Sequence, residues 1–412
     1  MTHPRIALIM GTRPEAIKMA PLVWAMQNHS HQMEAVVVAT AQHRQMLDQV
    51  LSLFQITPDV DLNLMRPNQS LGSLTGSVMK MLEEALDQIR PDLLLVQGDT
   101  TTAFAAALAA FYKKIPVAHV EAGLRSHDNG NPFPEEANRR LITTLAEIHL
   151  APTLLAKLEL LNEGVPEEKI AVTGNTVIDS LCYTLQKPFS FRNTPLESVP
   201  FDSKRIILVT CHRRESWEQN LTHICSAIRD LASSFDDIYF VYPVHLNPNV
   251  QNTVNRCLRG IERVHLTPPL DYVTFVNLMR RSHLVMTDSG GVTEEAPSHH
   301  KPVLVLRDVI DRPEACQLGL ARLVGTSRER IASETSKLLT DPKLYLSMAN
   351  GFNPYGDGRA SERIVEVISR WSAAAAPLLP PEKEFKLEAE QAYRLKKEAE
   401  FVFLSEQELT VQ

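Results

Sequence analysis

The sequence has no basic surplus. Lysine and arginine number 42 against 49 aspartate and glutamate, a formal net charge of −7. That excludes the electropositive footprint of a nucleic-acid binder. Long apolar runs are also missing. The longest stretches, such as Ala103–Phe111, are well short of a membrane span. The apolar run Arg5–Met10 is too short for a secretory signal and leads into a helical pattern, not a cleavage site. Cysteine is sparse. Cys182, Cys211, Cys225, Cys257 and Cys316 are odd in number and scattered, without paired metal-type spacing. They read as reduced thiols of a cytoplasmic protein. What is present is a 44% hydrophobic, 22% charged chain, the composition of a folded globular protein. Its 412 residues suffice for two domains of ordinary size.

Short apolar runs alternate with longer helical patterns. In the first half Arg5–Met10, Glu34–Thr40, Leu93–Gln97, Val117–Val120, Ile148–Ala151 and Ile170–Thr173 read as strands. Most lack polar alternation, which suits parallel strands buried on both faces. The second half repeats the pattern from Arg205–Thr210 to Leu323–Gly325. Two successive βαβ arrays predict an α/β fold of two doubly wound, Rossmann-like domains facing a cleft. The expected division is residues 1–174 and 175–359, with helix 360–371 packing back on the first domain and 372–412 a charged tail. Gln186–Ser203 reads as a linker or surface excursion, and Glu382–Glu400 as a charged helix.

Ligands of such folds sit beyond the carboxyl ends of the strands, and the charged motifs fall there. Gly11–Lys18 (GTRPEAIK) follows the first strand, where backbone N–H groups, Arg13 and Lys18 suit a diphosphate. Asp99 follows the third strand and Glu121 the next, while Glu135 opens a helix behind the Pro-rich loop Asn131–Pro134. Three acids on one sheet edge suit proton transfer. In the second half His212 follows the first strand, placed to meet a phosphate or act as an acid. Thr287–Pro297 is a strand, a turn of Ser289, Gly290 and Gly291 that suits phosphate oxygens, and a helix whose Glu295 suits a ribose diol. Arg307 and Arg312 follow the next strand as counter-charges.

In unbroken order from Arg5 to Trp371, the segments Gly11–Pro21, Gln97–Thr102, His119–Arg125, Pro132–Arg139, Val172–Asp179, His212–Ser216, Tyr242–Val250, Thr287–Ser298 and Asn353–Gly358 resemble the non-hydrolysing UDP-N-acetylglucosamine 2-epimerases. The resemblance implies a glycosyltransferase-B-like fold, a homodimer, and a UDP-sugar as the only partner molecule, with no metal, no other cofactor, no nucleic acid and no membrane. It implies that UDP leaves C1 while C2 loses its proton, giving a 2-acetamidoglucal. Reprotonation on the other face and return of UDP then yield UDP-N-acetylmannosamine for cell-surface polysaccharide. Asp99, Glu121, Glu135 and His212 match catalytic positions. Arg13, Lys18, Phe275, Ser289, Gly290, Gly291, Glu295 and Arg312 match substrate-binding ones. Gln42, His43, Arg44, Gln45 and His245 match a second, activating substrate site. Gln97 stands where relatives commonly carry His, Cys211 where they carry Gly, and Leu270 where a polar residue meets the uracil. The alternatives are an epimerase of a related UDP-2-acetamido sugar, such as a diacetamido uronate, and a glycosyltransferase of the same fold.

Overall fold

The structure, a computed structural model, describes residues 3–40, 44–64, 69–211 and 219–387. The chain divides into two compact units. Met1–Cys182 and Tyr355–Lys386 form the first; Tyr183–Pro354 belongs to the second. Both crossings lie off the expected 174/175 and 359/360 divisions, the first of them inside a helix.

The first unit alternates strand and helix: β1 (Arg5–Met10), α1 (Arg13–Asn28), β2 (Glu34–Ala39), α2 (Arg44–Leu53), β3 (Val60–Asp61), α3 (Leu71–Ile89), β4 (Leu93–Gln97), α4 (Thr101–Tyr112), β5 (Val117–Val120), α5 (Glu135–Leu145), β6 (Ile148–Ala151), α6 (Leu154–Asn162), β7 (Ile170–Val172) and α7 (Thr176–Leu185). Its sheet runs β3-β2-β1-β4-β5-β6-β7, with every pairing parallel. The order reverses between β1 and β4, which is where a doubly wound sheet binds its ligand. Ile9, Val38, Leu94 and Val96 enter a core capped by α3 and α4, and their alternate neighbours Leu8, Val37 and Leu95 are equally buried toward the other face. Helix α4 is rich in alanine. Ala103, Ala106, Ala107 and Ala110 are buried, so it wedges between α3 and α5.

The second unit comprises β8 (Arg205–Thr210), α8 (Gln219–Ser234), β9 (Ile238–Pro243), α9 (Pro248–Leu258), β10 (Val264–Thr267), α10 (Tyr272–Arg281), β11 (Leu284–Thr287), α11 (Gly290–Glu295), β12 (Val303–Val305), α12 (Glu314–Gln317), β13 (Ala321–Leu323), α13 (Arg328–Thr340) and α14 (Pro342–Ala349). Its parallel sheet has the same plan, β10-β9-β8-β11-β12-β13, with the switch between β8 and β11. Helix α15 (Ala360–Ser372) then packs on α1 of the first unit.

Three expectations need correction. The 186–203 segment is not a loose excursion: Leu196 is fully buried, and Phe191 stacks on Phe201 at 4.2 Å. Its apolar residues, not its prolines, decide its place. The helix expected to follow the Ser289–Gly291 turn already begins at Gly290, inside that turn, and tightens to a 3₁₀ turn over Ala296–His299, where Pro297 removes a helical donor. Glu382–Leu387 is not helical. Phe385 is buried, and its N–H donates to the Val172 carbonyl at 2.9 Å, so this part of the tail lies along β7.

Candidate active site

The turn after β1 is a fastened anion-type loop. Thr12 caps α1, and Glu15 completes a capping box. One Glu15 oxygen accepts from Gly11 N–H at 2.8 Å and Thr12 N–H at 2.7 Å. The other accepts the Thr100 hydroxyl at 2.5 Å. Glu15 therefore ties the β1 turn to the β4 turn across the switch point. Burial outweighs those hydrogen bonds and raises its carboxyl above the ordinary 4.5. Arg13 opens α1, half-buried, and Lys18 is buried one turn further on.

Glu121 closes β5 in a left-handed backbone conformation, φ 67°, which a residue with a Cβ adopts only under constraint. The constraint is visible. Both Glu121 and Ala122 N–H donate to Leu150 O at 3.1 Å. A Cβ on Gly123, φ 90°, would sit 2.2 Å from the Ala156 carbonyl oxygen, so only glycine fits. The turn aims the Glu121 carboxylate at donors from three elements. Its Oε2 accepts from Lys18 Nζ, from Gln97 Nε2 at 2.8 Å and from Asn175 Nδ2 at 3.2 Å. The group is 6% exposed, so these contacts act in a poorly screened environment.

Asp99 sits one strand away, half-buried after β4. Arg139 of α5 donates to its Oδ2 and also to Glu136, at 3.2 Å. Asn138 Nδ2 holds the Asp99 carbonyl at 2.9 Å. Beneath them, His119 Nε2 meets the Gly98 carbonyl at 2.7 Å. Burial presses His119 down to about 4, so the ring is neutral at pH 7 and its Nε2–H is the donor. Glu135 is the first residue of α5, half-buried. The first unit thus gathers Lys18, Asp99 and Glu121 at one sheet edge and sets Glu135 at the mouth of the helix whose Arg139 reaches Asp99. Arg125, by contrast, is structural: it is buried and paired with Glu163 at 2.5 Å.

In the second unit the β11 turn is organised from within. Ser289 N–H donates to Thr287 Oγ1 at 2.9 Å. Arg312 Nε meets Glu294 at 2.7 Å and its Nη1 meets Asp311 at 2.8 Å, while Arg307 meets Asp311 at 3.2 Å. Arg312 is thus already engaged by two buried carboxylates. A Cβ at Gly290 would lie 2.6 Å from Arg312 Nη1, so this arginine fixes the glycine. Gly291 has no neighbour within 4 Å of where its Cβ would be. Glu295 accepts the Tyr272 hydroxyl at 3.3 Å, and Phe275 lies half-buried one turn along α10. His245 is exposed, its Nδ1 accepting from Asn247 N–H at 3.1 Å ahead of α9. Gln42, His43 and His212 lie outside the described residues, as does the side chain of Gln45.

Sequence reasoning passed over Glu15, Gln97, Arg139 and Asn175 as working parts of the site. Each lay inside a quoted motif, but only spatial proximity across the sheet reveals what it holds.

Two doubly wound units, with Lys18, Asp99 and Glu121 gathered at the sheet edge of one and a serine–glycine turn at the switch point of the other, define an α/β enzyme of the nucleotide-handling class. The family model for UDP-N-acetylglucosamine 2-epimerase matches residues 25–369. The chain is 50% identical over 372 residues to the UDP-N-acetylglucosamine 2-epimerase of Salmonella typhimurium (strain LT2), covering 89% of this chain and 99% of that relative. The crystal structure of UDP-GlcNAc 2-epimerase from Neisseria meningitidis bound to UDP-GlcNAc superposes with TM-score 0.84 at 48% identity, over 88% of this chain and 99% of that one. A glycosyltransferase from Rickettsia africae ESF-5 shares the fold alone, with TM-score 0.57 at 14% identity over 90% of this chain and 99% of that one. The chain belongs to the UDP-N-acetylglucosamine 2-epimerase family of isomerases. Among the described residues no helix is long and apolar enough to cross a membrane, and no cluster of His, Cys, Asp and Glu has a metal-holding arrangement.

Proposed function

We propose that the protein interconverts UDP-N-acetylglucosamine and UDP-N-acetylmannosamine by elimination and re-addition of UDP. The observation that carries the reading is the Glu121 carboxylate, turned by a strained backbone onto Lys18, one strand from Asp99. The C2 hydrogen of the sugar is not acidic until the C1–O bond weakens. In the forward direction that bond breaks, its electron pair leaves with UDP, and the C2 proton passes to a carboxylate as the C1–C2 double bond forms. Return of a proton to the opposite face and attack of UDP oxygen at C1 complete the inversion. Asp99, Glu121 and Glu135 supply the base and the acid. Arg13, Lys18, His212 and the Ser289–Gly291 turn balance the departing diphosphate, and Phe275, Glu295 and Arg312 hold the nucleotide. Gln42, His43, Gln45 and His245 are assigned to activation by a second substrate molecule, from the resemblance of their segments to the family's activating site.

Incubation with UDP-N-acetylglucosamine in deuterated water tests this directly. NMR should show both UDP-sugars at equilibrium with deuterium at C2. Release of free sugar, or both compounds recovered without deuterium, would sink the reading.

The working form is a cytoplasmic homodimer. Exposed apolar side chains on two packed helices support the dimer: Phe111 is 54% and Tyr112 65% exposed on α4, and Leu141 48% on the neighbouring α5, and clustered exposed apolar groups mark association surfaces. Sedimentation should give a dimer mass that Leu141→Arg lowers; a wild-type monomer at micromolar concentration rejects it.

A further inference from the structure

We propose that Asn175 is a positioning residue for the reaction, fixing the Glu121 carboxylate; the assignment rests on the epimerase reading above. Asn175 is 2% exposed and lies just ahead of α7. Its Oδ1 accepts from Val177 N–H at 3.1 Å, so the oxygen end of the amide is committed to the start of that helix. Its Nδ2 is therefore the end that points away, and it donates to Glu121 Oε2 at 3.2 Å. Amide orientation is often ambiguous, but here a backbone donor on one side and a carboxylate on the other admit a single assignment. The main chain is pinned as well: Asn175 N–H donates to the Tyr355 carbonyl at 2.6 Å, the first residue of the segment that returns to this unit.

The three donors on Oε2 differ in kind. Lys18 brings charge and a flexible stem, and Gln97 lies on the adjacent strand. Asn175 alone is locked at both its backbone and its amide oxygen, so it sets the direction from which Oε2 is held. The proton-transfer geometry of Glu121 then depends on a residue that need not touch the sugar.

Aspartate at 175 separates this role from simple helix capping. Aspartate caps a helix as well as asparagine does, but it turns a donor into a buried carboxylate facing Glu121. The test uses the full chain with Asn175→Ala, Asn175→Asp, Glu121→Gln alone and Asn175→Asp combined with Glu121→Gln. The expected result has two parts. In thermal melts Asn175→Asp unfolds at a lower temperature than Asn175→Ala, and the same Asn175→Asp change lowers the melting temperature by at most about half as much when made in Glu121→Gln, measured against Glu121→Gln alone, the signature of coupled neighbours. In turnover of UDP-N-acetylglucosamine, Asn175→Ala lowers kcat about 10- to 100-fold with KM within about threefold, as a misplaced reacting group would. An aspartate variant that melts at or above the alanine variant, or an alanine variant with kcat within about twofold of wild type, overturns the proposal and leaves Asn175 a helix cap. A wild-type chain inert toward UDP-N-acetylglucosamine overturns the epimerase reading itself and the catalytic half of the assignment with it, while the melts still report the Asn175–Glu121 contact.

Discussion

Glu121→Gln is expected to lower kcat by about 10³-fold, within the range that loss of a general acid or base produces, while UDP affinity stays within about threefold. Glutamine preserves the shape of the site, since its carbonyl oxygen can still receive Lys18, Gln97 and Asn175. It cannot take up or return a proton at C2. The substitution also removes the negative partner of Lys18, which is 8% exposed. Leaving one member of a buried ion pair uncompensated costs about 3–5 kcal/mol, so part of any activity loss could be unfolding. Lys18→Met in the Glu121→Gln background measures the stability part alone: by removing the uncompensated charge it should raise the melting temperature back toward wild type. Rates measured well below the melting temperature, with deuterium wash-in at C2 as the chemical readout, decide the point. Turnover of Glu121→Gln within about tenfold of wild type would remove Glu121 from the proton-transfer step.

The reasons this site could be read from sequence, and the reasons it could be read only in part, are both physical. Strands such as Leu93–Gln97 are continuous apolar runs because both faces are covered, and a parallel sheet of such strands leaves charge only at its ends. Asp99 and Glu121 stand out for that reason, as does the Gly11–Lys18 turn. What stays hidden is which of these charges are committed inside the fold. Arg125 and Asp99 look alike in the sequence, charged residues just past a strand, yet Arg125 is consumed by Glu163 while Asp99 keeps a half-buried position against Arg139. Arg312 reads as a counter-charge for phosphate but meets Glu294 and Asp311 first. Asn175 and Gln97 carry no charge to attract notice, and their partner is 54 and 24 residues away. The burial of Leu196 and Phe385 in segments rich in proline and charge was likewise set by tertiary contacts, which override local composition.

Acidification from pH 6.5 to pH 4 should destabilise the first unit by about 4 kcal/mol through His119, His149 and Asp179, and Asp179→Asn should make that loss steeper, about 7 kcal/mol. The groups responsible are paired across the first sheet. His119 and His149 sit opposite each other in β5 and β6, both buried. Burial lowers them from 6.5 to about 4 and about 3. Below pH 6.5 the unfolded chain takes up protons that the folded rings refuse, so their contribution is complete above 6.5 and is lost as pH falls. Each pH unit of that gap is worth about 1.4 kcal/mol per ring, which gives about 7 kcal/mol for the pair by pH 4. Asp179 works in the opposite sense. Its oxygens accept from Ala360 N–H at 3.2 Å and Ser361 N–H at 2.8 Å at the start of α15. Burial nevertheless raises it from 3.8 to about 6. The folded state therefore binds its proton first, and between pH 6 and 3.8 this group adds stability as pH falls, about 3 kcal/mol in all. The histidines win, and the balance is a large share of the 5–15 kcal/mol that folds a typical domain. His283 and His299, each lowered to about 4 by burial, push the second unit the same way. Urea denaturation of wild type and Asp179→Asn at pH 6.5, 5.5 and 4.5 checks the signs, because the histidine contribution is common to both chains. Parallel stability curves for the two would show that Asp179 does not titrate in this window, and a wild type equally stable at pH 6.5 and 4.5 would show that the buried histidines do not govern its acid limit.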